Sequence, residues 1–69
     1  MTGPEEAAAY VRRMKNRSKR EYGWAYLRHC LNAVQHPEPE RANYQPLSVM
    51  GAQAVRMWIR DYLAGVAHR

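Results

Sequence analysis

Phenylalanine is absent from this sequence, and cysteine occurs once, as Cys30. A lone thiol excludes an internal disulfide and fits a reducing compartment. Without Phe, the aromatic set is five Tyr and two Trp. Each carries a polar handle, which suits half-buried positions and interfaces better than a dry interior. No apolar run approaches the roughly 18 residues that would span a bilayer. The opening MTGPEEAAAY has acids where a secretory signal needs a basic region and then an apolar run. The expectation is a cytoplasmic protein with no membrane attachment. The sequon at Asn16-Arg17-Ser18 then carries no meaning as a glycosylation site.

The chemistry of catalysis is also missing. There is no glycine-rich phosphate loop and no G-x-S-x-G. Ser18 and Ser48 have ready uses as helix caps, and Cys30 falls on an apolar helix face. No C-x-x-C or H-x-x-x-H spacing occurs. His29 and His36 share a helix face, but two turns separate them by about 10 Å, too far for one tetrahedral ion. No catalytic residue, metal or cofactor is assigned. A chain of 69 residues is one small domain, residues 1–69. A domain of this size buries only about 60% of its unfolded surface, and self-association is one way to supplement its core.

Acids are outnumbered: six Asp and Glu face 11 Lys and Arg, for a net charge of +5. The excess is concentrated. Residues 1–20 hold six basic and two acidic side chains, whereas residues 36–46 are net acidic through Glu38 and Glu40 against Arg41. Such asymmetry favours an anionic partner: nucleic acid, an anionic surface or an acidic protein.

What is present is helical periodicity in three segments, with no strand-like alternation. The spacing predicts an all-α, three-helix domain with helices over 3–16, 19–35 and 47–66 and a proline-containing linker at 36–46. The first helix opens as a T-x-x-E capping box at Thr2, or with Gly3 as cap and Pro4 at the first helical position. Ala7, Ala8, Val11 and Met14 line its inner side, flanked by Tyr10. The second opens on S-x-x-E at Ser18 and carries Gly23, Trp24, Leu27, Cys30, Leu31 and Val34 on one face, with Tyr26 at its edge. No Gly or Pro separates the first two helices, which leaves one continuous helix as an alternative. Pro37 limits the second. The third, capped at Ser48, turns Ala52, Val55, Trp58, Ile59, Tyr62, Leu63 and Val66 inward. Gly51 on that side offers a close helix crossing. Gln53, Arg56, Met57 and Arg60 face out.

The strongest signal is VRRMKNRSKR, residues 11–20, with six basic side chains and no acid. On a helix, Arg12, Arg13, Lys15, Arg17, Lys19 and Arg20 wrap around the circumference instead of forming one strip. That distribution suits phosphate contact from several directions and does not suit sequence readout. Tyr22, just beyond, is the one aromatic left free to stack on a base. In the third helix, Gln53, Arg56 and Arg60 have the chemistry to touch bases or phosphates.

VRMWIRDYL, residues 55–63, resembles the Arg-Trp recognition helix of excisionase-like and MerR-like helix-turn-helix proteins, and EEAAAYV, residues 5–11, resembles their opening helix. The resemblance covers about a quarter of the chain and implies DNA binding through the third helix. It departs in spacing. Those proteins place a tight turn and the second helix directly after the first, whereas here a whole helix and an eleven-residue linker precede residues 55–63. The chain is not assigned to that family.

The functional expectation is a small, non-enzymatic, nucleic-acid-binding protein, a regulator or accessory factor acting on DNA. The alternative is a helical interaction module that docks on an acidic protein through apolar helix faces, with Trp24, Tyr26, Trp58 and Tyr62 as the contact residues. A homodimer is compatible with both.

Overall fold

The computed structural model describes residues 2–66. It is all-helical, with three α-helices: α1, Gly3–Arg12; α2, Arg17–Leu31; and α3, Val49–Ala64. No strand occurs among the described residues.

Helix α1 begins because Thr2 is extended and its hydroxyl accepts from the Glu5 amide at 3.3 Å. Pro4 lies in the first turn, and Glu5 and Glu6 face the positive end of the helix dipole. The helix stops at Arg12, four residues before the sequence spacing places its end. Asn16 is the reason. It is extended (φ −75°, ψ 120°), and its side-chain oxygen accepts from the Lys19 amide at 2.9 Å, which makes it the N-cap of α2. Asn is as good a cap as Ser, and it comes first in the chain. Helices one and two are therefore separate, joined by residues 13–16.

Ser18, expected as the cap, lies inside the helix and donates instead to the Gln45 carbonyl at 3.0 Å. Glu21, its expected capping-box partner, accepts from Arg17 at 3.1 Å. At its other end α2 stops at Leu31, short of residue 35. The amides of Gln35 and His36 both donate to the Asn32 carbonyl and turn the chain.

The linker is more ordered than its prolines suggest. A 3-10 helix forms at Arg41–Tyr44, and the Gln45–Pro46 peptide is cis. Arg41 donates to the Leu47 carbonyl at 2.7 Å, and Leu47 is buried. Helix α3 starts at Ser48, whose hydroxyl accepts from the Gly51 amide at 2.9 Å. It ends in a Schellman motif: Gly65 at φ 75° donates to Tyr62, and Val66 donates to Asp61. The expected end at 66 is thus two residues late.

Side-chain contacts show how the helices run. Gly3 abuts the backbone of Tyr62 and Leu63, and Tyr10 meets Tyr62 and Trp58. Helices α1 and α3 are therefore antiparallel. Tyr22 meets Arg56, and Tyr26 meets Arg60, so α2 and α3 run in the same direction. The three helices converge at Gly23. A β-carbon there would lie 3.2 Å from both Val11 methyls and 3.6 Å from a Val55 methyl. The crossing glycine is Gly23; Gly51 instead faces Ser48, Leu47 and the Lys19 side chain.

The core consists of Ala7 and Val11 from α1, Tyr22, Tyr26 and Leu27 from α2, Leu47, and Ala52, Val55, Ile59 and Tyr62 from α3. The inner faces of α1 and α3 lie close to their sequence pattern. That of α2 is rotated. Tyr22 and Tyr26 replace Leu31 and Val34, which are 55% and 99% exposed, while Cys30 is half-buried against the core. Trp24 stays half-buried at the margin.

Candidate nucleic-acid interface

The six basic side chains of residues 12–20 fall on three pieces of local structure. Arg12 closes α1, Arg13 and Lys15 occupy the turn, and Arg17, Lys19 and Arg20 lie in the first turns of α2. Two of the six have partners. Arg20 donates to the Met14 carbonyl at 3.0 Å, which ties the start of α2 to the chain leaving α1. Arg17 pairs with Glu21 in an exposed ion pair, an arrangement that contributes little to stability. Arg12, Arg13, Lys15 and Lys19 are exposed. Among the described residues, Arg17–Glu21 is the one ion pair, so none of these four is neutralised by a carboxylate.

The electrostatics of the turn are one-sided. Arg12 sits at the negative end of α1, a favourable position. Arg17, Lys19 and Arg20 sit at the positive end of α2, whose first turn has no acid. Cations there oppose the helix dipole, by about 0.3–1 kcal/mol each for exposed groups at low salt. An anion near the turn relieves that opposition.

A second basic group lies on the α2–α3 seam. Arg56 donates to the Tyr22 hydroxyl at 2.7 Å, and Arg60 donates from Nε to the Tyr26 hydroxyl at 2.5 Å. The Arg60 guanidinium lies 5.6 Å from the centre of the Tyr26 ring. Burial raises the Tyr26 pKa, and the Arg60 hydrogen bond works in the opposite direction. The Arg60 pKa is raised, first by that same hydrogen bond. Gln53, Arg56, Met57, Arg60 and Asp61 line an open depression on the outer side of α3. Lys19 connects the two groups, since its aliphatic stem reaches the start of α3 at Gly51. The basic turn and the α3 arginines, far apart in sequence, thus follow one another along the seam.

Other candidates have different placements. Tyr22, expected as a free stacking ring, is 1% exposed and packs against Tyr26 and Tyr44. A ring so enclosed stacks on no base. Of the expected partner-contact residues, Tyr26 and Tyr62 are buried in the core, while Trp24 and Trp58 are half-buried against it. Trp58 also lies against Tyr10 and Tyr62. The four therefore do not form one exposed face. The His29 ring nitrogen Nδ1 lies 2.7 Å from the His36 carbonyl, where its N–H closes the turn after α2. Among the described residues no group of three or more His, Cys, Asp or Glu could hold a metal ion. No helix there is long and apolar enough to cross a membrane.

The residues that sequence reasoning missed are the tyrosine anchors of Arg56 and Arg60. A signal for them exists in retrospect: the tyrosines are four apart on α2, the arginines four apart on α3, and both pairs are separated by 34 residues.

No protein-family model matches the chain, and no curated protein or solved structure matches it either. The arrangement stands on its own geometry.

Proposed function

We propose that this protein is a small, non-enzymatic, nucleic-acid-binding module that grips the phosphate backbone of DNA, in the role of a regulator or accessory factor. One observation carries the reading: four exposed cations, Arg12, Arg13, Lys15 and Lys19, surround a helix junction whose residues 11–20 include no acid. Arg20 adds charge while tying the start of α2 to the chain leaving α1, and Arg17 adds charge beside Glu21. Gln53, Arg56 and Arg60 extend the surface along α3. Contacts of this kind position a protein on a duplex without reading its sequence.

The test is fluorescence anisotropy with a labelled duplex of arbitrary sequence. Neutralising four to six phosphates gives a log–log slope of affinity against salt of about −4 to −5. Arg12→Gln, Arg13→Gln and Lys15→Gln together reduce that slope by about 3. No binding at low salt with micromolar protein would sink the proposal.

A second reading has its own support. Met57, 52% exposed, lines the depression with Arg56 and Arg60, and Met50, 81% exposed, lies in the first turn of the same helix. Apolar surface bordered by cations suits an acidic protein partner or a second copy of this chain. Under that reading Met50→Ser and Met57→Ser abolish association, and the salt slope on DNA is shallow. Sedimentation velocity separates the self-associating form, by a dimer that the same two substitutions dissociate.

A further inference from the structure

We propose that Tyr22 and Tyr26 are positioning residues: each orients one arginine of α3, so that Arg56 and Arg60 meet neighbouring phosphates of one nucleic-acid strand as prealigned forks. The inference deepens the nucleic-acid reading and rests on it.

Buried tyrosines need a partner for the hydroxyl, and many side chains would serve. Here both tyrosines are buried, and both hydroxyls accept from an arginine of α3. A guanidinium has five N–H donors in a rigid plane. Arg60 gives its Nε–H to Tyr26, which leaves the two terminal nitrogens side by side and facing away. Arg56 gives an N–H of Nη1 to Tyr22, which leaves the Nε and Nη2 edge. Each arginine keeps one two-donor edge, the geometry that takes phosphate bidentately. Anchoring removes the rotamer freedom that a free arginine loses on binding.

The spacing fits a strand. Residues four apart on a helix are neighbours on its surface, with β-carbons about 5–6 Å apart, so the two forks lie in sequence along α3. Lys19, one turn before Tyr22 on α2, lies against the start of α3 at Gly51. Two acids are near. Asp61 borders the depression, and Glu38 acts on Arg60 through its charge. Neither forms an ion pair with either arginine, so the outward edges are not taken by carboxylates.

The experiment compares the full-length wild type with three double variants on one labelled duplex across a salt series, with the folded fraction of each checked by circular dichroism. Tyr22→Phe with Tyr26→Phe keeps every charge and removes both anchors. Affinity at fixed salt falls roughly tenfold, about the worth of one charge-assisted hydrogen bond, and the salt slope is unchanged. Arg56→Lys with Arg60→Lys keeps charge but has no fork, and gives the same pattern. Arg56→Gln with Arg60→Gln lowers affinity further and reduces the slope by about 1.8. A merely structural role for the tyrosines lowers the melting temperature and leaves the affinity of folded protein at the wild-type value. That result overturns the inference while the function stands. Wild-type affinity in the lysine variant overturns it as well, and keeps the test decisive if the phenylalanine variant does not fold. A wild type that binds no duplex overturns both proposals.

Discussion

Tyr22 and Tyr26 are buried, and their hydroxyls accept from Arg56 and Arg60 of α3. A hydrophobicity pattern ranks tyrosine below leucine and valine, and by that pattern Leu31 and Val34 belong inside. The structure exposes both. A tyrosine occupies a core when its tip reaches a donor, and both donors here come from another helix, which local periodicity does not register. A pH dependence follows at this scale. Burial raises the Tyr26 pKa, and burial with the nearby Tyr62 raises that of Tyr10, from an ordinary value of 10.0. A raised folded pKa contributes stability that is complete below the unfolded value and is lost as pH rises through the folded one. Thermal melts followed by circular dichroism therefore show a midpoint that falls above about pH 10. The fall is shallower in a Tyr10→Phe, Tyr26→Phe variant, and equal slopes in the two proteins would contradict this account.

The helices were legible as elements, and their termini were legible only in part. Thr2 and Ser48 were readable as caps because each precedes an apolar stripe, and both accept from the amide three residues on. Ser18 was misread because its spacing to Glu21 imitates a capping box. Asn16 reaches the same kind of amide first. Replacing Asn16 with Ala is expected to cost about 1 kcal/mol, a fall of about 4–8 °C in melting temperature for a domain of this size. Glu21→Gln is expected to cost no more than about 0.5 kcal/mol, since it removes only an exposed pair. The reverse order in thermal melts would restore the Ser18 assignment. At the other end of the domain, Gly65 holds φ 75° at the close of α3. Alanine there is expected to cost about 1–2 kcal/mol, read as a lower urea midpoint with an unchanged m-value.

At the scale of the whole molecule, stability is small and shared. About 0.05–0.15 kcal/mol per residue gives a domain of 69 residues only about 3–10 kcal/mol. Ile59 is fully buried, and Ile59→Ala leaves a cavity costing about 2–5 kcal/mol. That variant is expected to be partly or wholly unfolded at 37 °C by circular dichroism. The basic charges are spent differently. Most are on the surface, and among the described residues the core includes no charged group, so neutralising Arg12, Arg13 and Lys15 should leave the melting temperature within a few degrees of wild type while DNA affinity falls. A large loss of stability would mean that the turn needs those cations for its own structure.

Composition and periodicity alone determined the all-helical class, the number of helices, the inner faces of α1 and α3, and the concentration of positive charge at residues 12–20. These depend on neighbours within a few residues, and a turn of helix reports them directly. Which way α2 faces, where the three helices cross, and which tyrosines hold Arg56 and Arg60 were decided by the tertiary structure. Each depends on a surface supplied by another helix: the Val11 and Val55 methyls against Gly23, and the α3 arginines against the hydroxyls of α2. Those contacts join residues up to 34 positions apart, and no local pattern encodes the angle at which two helices meet.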